Sequence, residues 1–202
     1  MVRAAIAVCC SGRGSNLQAI IAAIRRGILR ARIACVISDN PRAYALERAL
    51  RAGLKTVVIP PDRRRSRESF DRILAREIEK AGARWVVLAG FMRILSPSFV
   101  RRFKGRIVNI HPALLPAFPG RHGVRDALRY GAKVTGVTVH FVDEQVDHGP
   151  IIAQEPVAIR EDDTEETLLA RVHKVEHRLY PRAIQKVVNG RTKIIGRKVL
   201  VR

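Results

Sequence analysis

The sequence predicts a doubly wound, mostly parallel α/β sheet in a single domain, and three observations carry that prediction. Short β-branched runs alternate with amphipathic helical stretches. The first run ends in a glycine-rich turn that opens a helix, Cys10-Ser11-Gly12-Arg13-Gly14-Ser15-Asn16. A later run, 106–110, leads into His111-Pro112, at the strand exit where an open sheet of this kind places its ligands.

In chain order, strands are expected at 3–9, 32–38, 55–59, 84–89 and 106–110, with helices near 16–26, 43–52, 67–81 and 97–103 between them. The start MVRAAIAVCC imitates a signal peptide, but its apolar run passes directly into the glycine turn, as a first core strand does. A helix near 125–130 precedes two longer runs, 134–142 and 151–159, which extend the sheet. A closing helix is expected to open on the acidic box Asp163-x-x-Glu166 and to bury Leu168, Leu169, Val172 and Val175, with Pro181 kinking or dividing it. No internal repeat, low-complexity segment or linker interrupts the chain, so residues 1–202 read as one domain.

Composition narrows the function classes. A chain of 202 residues with 47% hydrophobic content suffices for one domain that buries roughly 70% of the surface its unfolded form exposes. The longest apolar stretch, 85–92, falls far short of the ~20 residues a membrane helix needs, so a soluble, cytoplasmic protein is expected. Cys9, Cys10 and Cys35 show no CxxC pairing and read as buried thiols. The net charge of +20 invites a nucleic-acid reading. Yet 30 of the 38 basic residues are arginines scattered along the chain, and only Arg63-Arg64-Arg65 is a tight cluster. Without aromatic residues interleaved among them, no base-stacking platform forms, and no dedicated nucleic-acid partner is expected. Steering of anionic substrates is the better use of such charge.

Three motifs carry chemistry. In Asn109-Ile110-His111-Pro112 the alternation of a strand puts Asn109 and His111 on one face, an amide donor beside an imidazole suited to an oxyanion and to proton transfer. The glycine turn exposes backbone amides at a helix N-terminus, a seat for a phosphate. It is a poor dinucleotide fingerprint, because Leu17 occupies the third glycine position, although Asp39 stands where a ribose-binding acid would. Ser15 and Asn16 suit a single phosphomonoester instead. The acidic loop Asp143-Glu144-Gln145-Val146-Asp147-His148-Gly149-Pro150 supplies carboxylates; Asp143 or Asp147 can support His111, while His140, Asp143, Asp147 and His148 are an alternative metal set that matches no standard spacing.

These motifs, with LAGFMRILSP at 88–97, VNIHPALLPAFPG at 108–120 and VTVHFVDEQVDHGPIIAQ at 137–154, resemble the phosphoribosylglycinamide formyltransferases over nearly the whole chain. The resemblance implies a Rossmann-like formyltransferase fold. It implies transfer of a formyl group from 10-formyltetrahydrofolate, a consumed co-substrate, to the amino group of glycinamide ribonucleotide, with no metal. Matching positions make Asn109, a protonated His111 and Asp147 the catalytic trio. Gly14, Ser15, Asn16, His173 and Glu176 would hold the ribonucleotide, with His173 standing where many members carry glutamine. Arg67, Met92, Arg93, Ile94, Leu95, Asn109, Asp143, Glu144, Gln145, Val146 and Asp147 would line the folate side. The N-terminal part is thus expected to bind phosphate and the C-terminal part folate, in a monomer or homodimer. Two relatives are weighed against this: a formyltetrahydrofolate deformylase usually carries an N-terminal regulatory domain, for which a first strand at residue 3 leaves no room, and a methionyl-tRNA formyltransferase needs a C-terminal RNA-binding domain, where this chain ends in a short basic tail at 193–202. A basic RNA-binding module is the non-enzymatic alternative.

Overall fold

The strand β1 (Ala4–Cys10) is almost wholly buried because its parallel neighbours β2 (Ala31–Ser38) and β4 (Trp85–Leu88) flank it on both edges and helices cover both faces. The computed structural model describes residues 3–62, 64 and 66–201; two arginines of the 63–65 cluster therefore lie outside the described residues. From β1 the chain runs through helix α1 (Ser15–Arg25), β2, helix α2 (Tyr44–Arg51) and β3 (Thr56–Val58) on one side. It then crosses by helix α3 (Arg67–Lys80) to β4, and by helix α4 (Pro97–Arg102) to β5 (Ile107–His111), on the other. This reversal at β1 and β4 opens a crevice at their carboxyl ends.

After helix α5 (Gly123–Tyr130), β6 (Val134–Phe141) and β7 (Ile151–Ala158) add antiparallel strands, and β5 pairs with β6 so that Asn109 faces His140 and His111 faces Thr138. With β8 (Thr192–Ile195) and β9 (Lys198–Val201), the described residues form a nine-stranded sheet in the order β3-β2-β1-β4-β5-β6-β7-β9-β8. One core lies under α1, α2 and helix α6 (Glu165–Val188), built on Ile6, Val8, Leu17, Ile20 and Leu168; a second lies under α3 and α4, built on Ile37, Leu74, Ile78, Val86 and Phe103. Each expected strand and helix is present, with ends moved by one or two residues.

Four details depart from expectation. The basic tail is not merely a tail: β8 (Thr192–Ile195) and β9 (Lys198–Val201) form a hairpin that joins the sheet through Ile151 and Lys198. The box that opens α6 is shifted by one position; Thr164 caps Thr167 and is capped in return, while Asp163 accepts from Thr167 Oγ1. The helix is not divided at Pro181, because Tyr180, Pro181, Ala183 and Ile184 are buried against the sheet, and that burial offsets the missing backbone bond. On the same helix Leu168 and Val172 are buried, whereas Leu169 and Val175 are only partly so. No described helix is long and apolar enough to cross a membrane.

Candidate active site

Asn109 and His111 reach the crevice from the last residues of β5, and the adjacent antiparallel β6 adds His140. The acidic loop then folds back beneath them. It does so because Gly149 leaves no side chain to collide with the Phe141 carbonyl oxygen. Asp147 sits there at φ +50, a left-handed conformation that costs a non-glycine residue about 1 kcal/mol or more.

Asp147 is the hub of the cluster. Its Oδ2 accepts from Gly120 N–H at 2.8 Å and lies 3.4 Å from His111 Nδ1; its Oδ1 accepts from Asn109 Nδ2 at 3.4 Å and lies 3.7 Å from His140 Nε2. His140 gives its Nδ1 proton to the Phe141 carbonyl at 2.8 Å, which leaves Nε2 to accept from Asn109 at 3.2 Å. Both amide protons of Asn109 are therefore engaged. By the same logic His111 Nε2 donates to the Phe118 carbonyl at 2.8 Å, and Phe118 is the other non-glycine residue at positive φ among the described residues, +51. Asp143, the alternative support for His111, instead accepts from His148 at 2.7 Å and from Gln145 N–H at 3.0 Å. The four-residue metal set is thus split into two separate pairs. Among the described residues no three His, Cys, Asp or Glu side chains are arranged to hold a metal ion.

Burial pulls His111 below the ordinary imidazole value, with Asp147 opposing. Both ring nitrogens of His111 face oxygens, Phe118 O at 2.8 Å and Asp147 Oδ2 at 3.4 Å, so burial and these two acceptors pull its protonation in opposite directions. Burial works against ionisation of Asp147 too, but its contacts with His140, His111 and Gly120 outweigh it and lower the carboxyl below its usual value.

A cavity of about 260 Å³ opens over this cluster. Met92, Arg93, Ile94 and Leu95 form one wall and Asp143, Glu144, Gln145, Val146 and Asp147 the other. Met92, Ile94 and Val146 are each about half exposed, at 51%, 54% and 52%, so their apolar surface is available to a ligand. Arg93 also lies over the Phe70 ring at 3.9 Å. Arg67 is not brought to this cavity; it is exposed at the start of α3, 3.9 Å from Glu68. The glycine turn is tied to the same wall, since Ser11 Oγ accepts from Met92 N–H at 2.9 Å.

At the turn, Gly14 has φ +71, and a Cβ there would lie 2.6 Å from Ala45 Cβ. Gly14, the N-cap of α1, has no side chain to cap the helix, so its first amides are suited to an anionic ligand. Asn16 Nδ2 donates to Glu176 Oε2 at 3.0 Å, and His173 Nε2 is 4.0 Å from the same oxygen. Burial drives Glu176 up to about 7 against the opposing Asn16 bond, and burial followed by the charge of Arg13 lowers His173. The thiols stay out of this chemistry: all three are buried, and burial raises Cys10 to about 12 and Cys35 to about 11.

Sequence reasoning missed several positioning groups. His140 entered only as a metal ligand. Thr138 accepts from Leu115 N–H at 3.0 Å and donates to Ala113 O at 2.7 Å, and Gln154 donates to Leu115 O at 2.8 Å, so β6 and β7 pin the proline-rich loop after His111. The fully buried Tyr180 directs its hydroxyl between Leu88 O, at 2.8 Å, and Val108 O, at 3.0 Å, beneath the strands that carry the site. The only available signal was a Tyr on the buried stripe of α6.

Residues 4–184 match the family described as Formyl transferase, which establishes the class of protein this fold and site define. The chain is 45% identical to the phosphoribosylglycinamide formyltransferase of Escherichia coli, over 94% of this chain and 89% of that protein. It therefore belongs to the phosphoribosylglycinamide formyltransferase family. The trifunctional purine biosynthetic protein adenosine-3 of Drosophila melanogaster is 48% identical over 93% of this chain, which spans only 14% of that longer protein. The crystal structure of glycinamide ribonucleotide transformylase 1 from Symbiobacterium toebii superimposes with a TM-score of 0.96 at 47% identity, covering 98% of this chain and 94% of that one. A formyltetrahydrofolate deformylase from Pseudomonas syringae shares the fold, with a TM-score of 0.92, but at 26% identity, covering 99% of this chain and 66% of that one.

Proposed function

We propose that the chain transfers the formyl group of 10-formyltetrahydrofolate to the amino group of glycinamide ribonucleotide, a step of purine biosynthesis. The observation that carries this reading is the junction of two differently built halves. A cluster of Asn109, His111 and Asp147 lies under a partly apolar cavity, and the wall of that cavity is bonded to an uncapped, glycine-led helix N-terminus. The first half suits acyl chemistry on a flat, polar-edged donor; the second suits a phosphomonoester.

Attack by the amine on the formamide carbon forms one C–N bond and places negative charge on the formyl oxygen. Asn109 Nδ2 and a ring N–H of His111 are the donors for that oxyanion. Both are engaged within the protein at rest, with Asp147, His140 and the Phe118 carbonyl, so they exchange an internal acceptor for the oxyanion as charge develops. An anion beside His111 also raises its proton affinity, countering the burial that lowers it. Collapse breaks the bond to the folate nitrogen. The proton lost by the incoming amine is delivered to that leaving nitrogen through His111 and Asp147, 3.4 Å apart.

In this reading Gly14, Ser15 and Asn16 take the phosphate, and His173 and Glu176 face the ribonucleotide. The segments 92–95 and 143–147 enclose the pterin, and Arg67 faces the exposed end of the folate. The N-terminal part of the single domain holds the nucleotide and the C-terminal part the folate. A cytoplasmic setting and a monomer or homodimer complete the proposal, whose partners are small molecules.

The test is release of deformylated folate from 10-formyltetrahydrofolate with and without glycinamide ribonucleotide, with His111→Ala as blank. Release that requires the ribonucleotide and is lost in the variant supports the reading. Release without it assigns water as the nucleophile and a deformylase instead.

A further inference from the structure

A second cavity, about 540 Å³, runs along the outer groove between α1 and α6, beginning at Ser15 and leading away from the catalytic cluster. Among the described residues five basic side chains line it, Arg26, Arg48, Lys174, Arg178 and Arg182, and no carboxylate does. Lys174, Arg178 and Arg182 recur at intervals of four, so they form a single-sign stripe on one face of α6. Like charges at that spacing destabilise a helix unless something neutralises them. Only Arg178 has a carboxylate partner among the described residues, Glu155, which stands outside the cavity lining.

Arg48 is already held in place. Its Nε donates to the Arg13 carbonyl at 2.9 Å, its Nη1 donates to Gln18 Oε1 at 3.2 Å, and its guanidinium lies 4.8 Å from the Tyr44 ring centre. A guanidinium fixed this way loses little freedom on meeting an anion. His177, also in the lining, keeps an enclosed Nε2 with no hydrogen-bond partner among the described residues, and its ring stacks on His173 at 6.0 Å. The floor between the charges is apolar, with Ala19, Ala22, Ile28 and Pro181.

We propose that this groove is a second ligand site, for a nucleoside polyphosphate, whose phosphates meet the basic stripe and whose base and sugar cover the apolar floor. The volume lies in the range of roughly 300–1,000 Å³ usual for small-molecule sites. Forked guanidinium groups match phosphate oxygens, and a flat, largely apolar ring system matches a floor of small side chains. The site communicates with the ribonucleotide seat through two residues: Ser15 borders both, and Arg48 holds the Arg13 carbonyl of the glycine turn. Granting the transferase reading, occupation raises KM for the ribonucleotide and leaves kcat unchanged.

Calorimetric titration of the full chain with ATP at physiological ionic strength, where diffuse attraction to a basic surface is screened, tests the proposal. Saturable one-to-one binding is expected. Arg26→Ala/Arg182→Ala, remote from the catalytic and phosphate-seat residues, weakens it at least about tenfold, as loss of charged hydrogen bonds should, without changing kinetics measured in the absence of ATP. Inorganic triphosphate binds at least about tenfold more weakly than ATP if the apolar floor contributes. No saturable binding at millimolar ATP overturns the proposal, as does equal affinity in the double variant, which would move ATP to the glycine turn. Equal affinity for triphosphate overturns the nucleoside assignment, and displacement of ATP by a tighter-binding uridine oligonucleotide reassigns the groove to RNA. The titration does not depend on turnover, so a chain that binds ATP as expected but fails the folate-release test leaves this site standing and removes only the transferase reading.

Discussion

Replacement of Glu176 by glutamine is expected to stabilise the fold at alkaline pH and to have little effect at acid pH. The side chain belongs to a residue only 5% exposed, on α6 beside the glycine turn, and burial lifts its carboxyl from an ordinary value of 4.5 to about 7 even though Asn16 donates to it at 3.0 Å. A carboxyl whose folded value is raised binds its proton more tightly in the native state. The native state is therefore penalised as pH rises from the unfolded value through the folded one. At roughly 1.4 kcal/mol per unit, the shift amounts to a penalty of about 3 kcal/mol, most of which develops between pH 5 and 8. Glutamine keeps an oxygen to accept from Asn16 and cannot ionise. Urea unfolding of both proteins at several pH values should show Glu176→Gln gaining roughly 2–3 kcal/mol on the parent from pH 5 to pH 8; other titrating groups cancel in the difference. A gap that stays constant with pH, or that moves in the parent's favour, would refute the argument that burial dominates at this carboxyl. In the proposed function the retained charge serves the ribonucleotide, so the same variant should show a raised KM for it.

Three further outcomes are expected. His111→Ala should lower kcat by at least roughly 10²–10³, the usual cost of one preorganised oxyanion donor before its part in proton transfer is counted, while ribonucleotide affinity from calorimetry stays within about threefold; equal losses in rate and binding would contradict a role confined to the transition state. Gly149→Ala places a Cβ against the Phe141 carbonyl oxygen, so thermal unfolding should show about 1–3 kcal/mol of lost stability or the acidic loop should shift, lowering activity through Asp147. Tyr180→Phe strips the hydroxyl from Leu88 O and Val108 O in a fully buried position, and denaturant unfolding should report a loss of about 1–3 kcal/mol.

The architecture was legible because parallel strands buried on both faces must be short and apolar, and those of β1, β2, β4 and β5 show up as such against the polar faces of the intervening helices. The shared face of Asn109 and His111 follows from strand alternation alone. Which carboxylate joins them does not, since Asp143 and Asp147 are both in reach along the chain. The choice is made by the local backbone, in which Gly149 closes against Phe141 and Asp147 is turned to φ +50, and residue types at a distance of four positions do not encode that turn. His140 was hidden for a related reason: it meets Asn109 only through the antiparallel register of β5 and β6, a non-local pairing. Phe118 contributes a carbonyl, which every residue has, so its side chain gave no sign that it holds His111. At the start of α6, Asp163 and Thr164 are both good caps, and the hydroxyl of Thr167 decides between them by bonding back to the Thr164 backbone. The C-terminal hairpin was legible in principle, since the apolar runs TKII and KVLV flank a turn at Gly196; the basic residues of the segment led to its being read as a tail, and its mostly exposed strands meet the sheet only through the non-local pairing of Ile151 with Lys198. What single residues could reveal was therefore the chemistry available at the site. The internal acceptors that hold its donors at rest arise from register and backbone conformation, and only the folded chain supplies them.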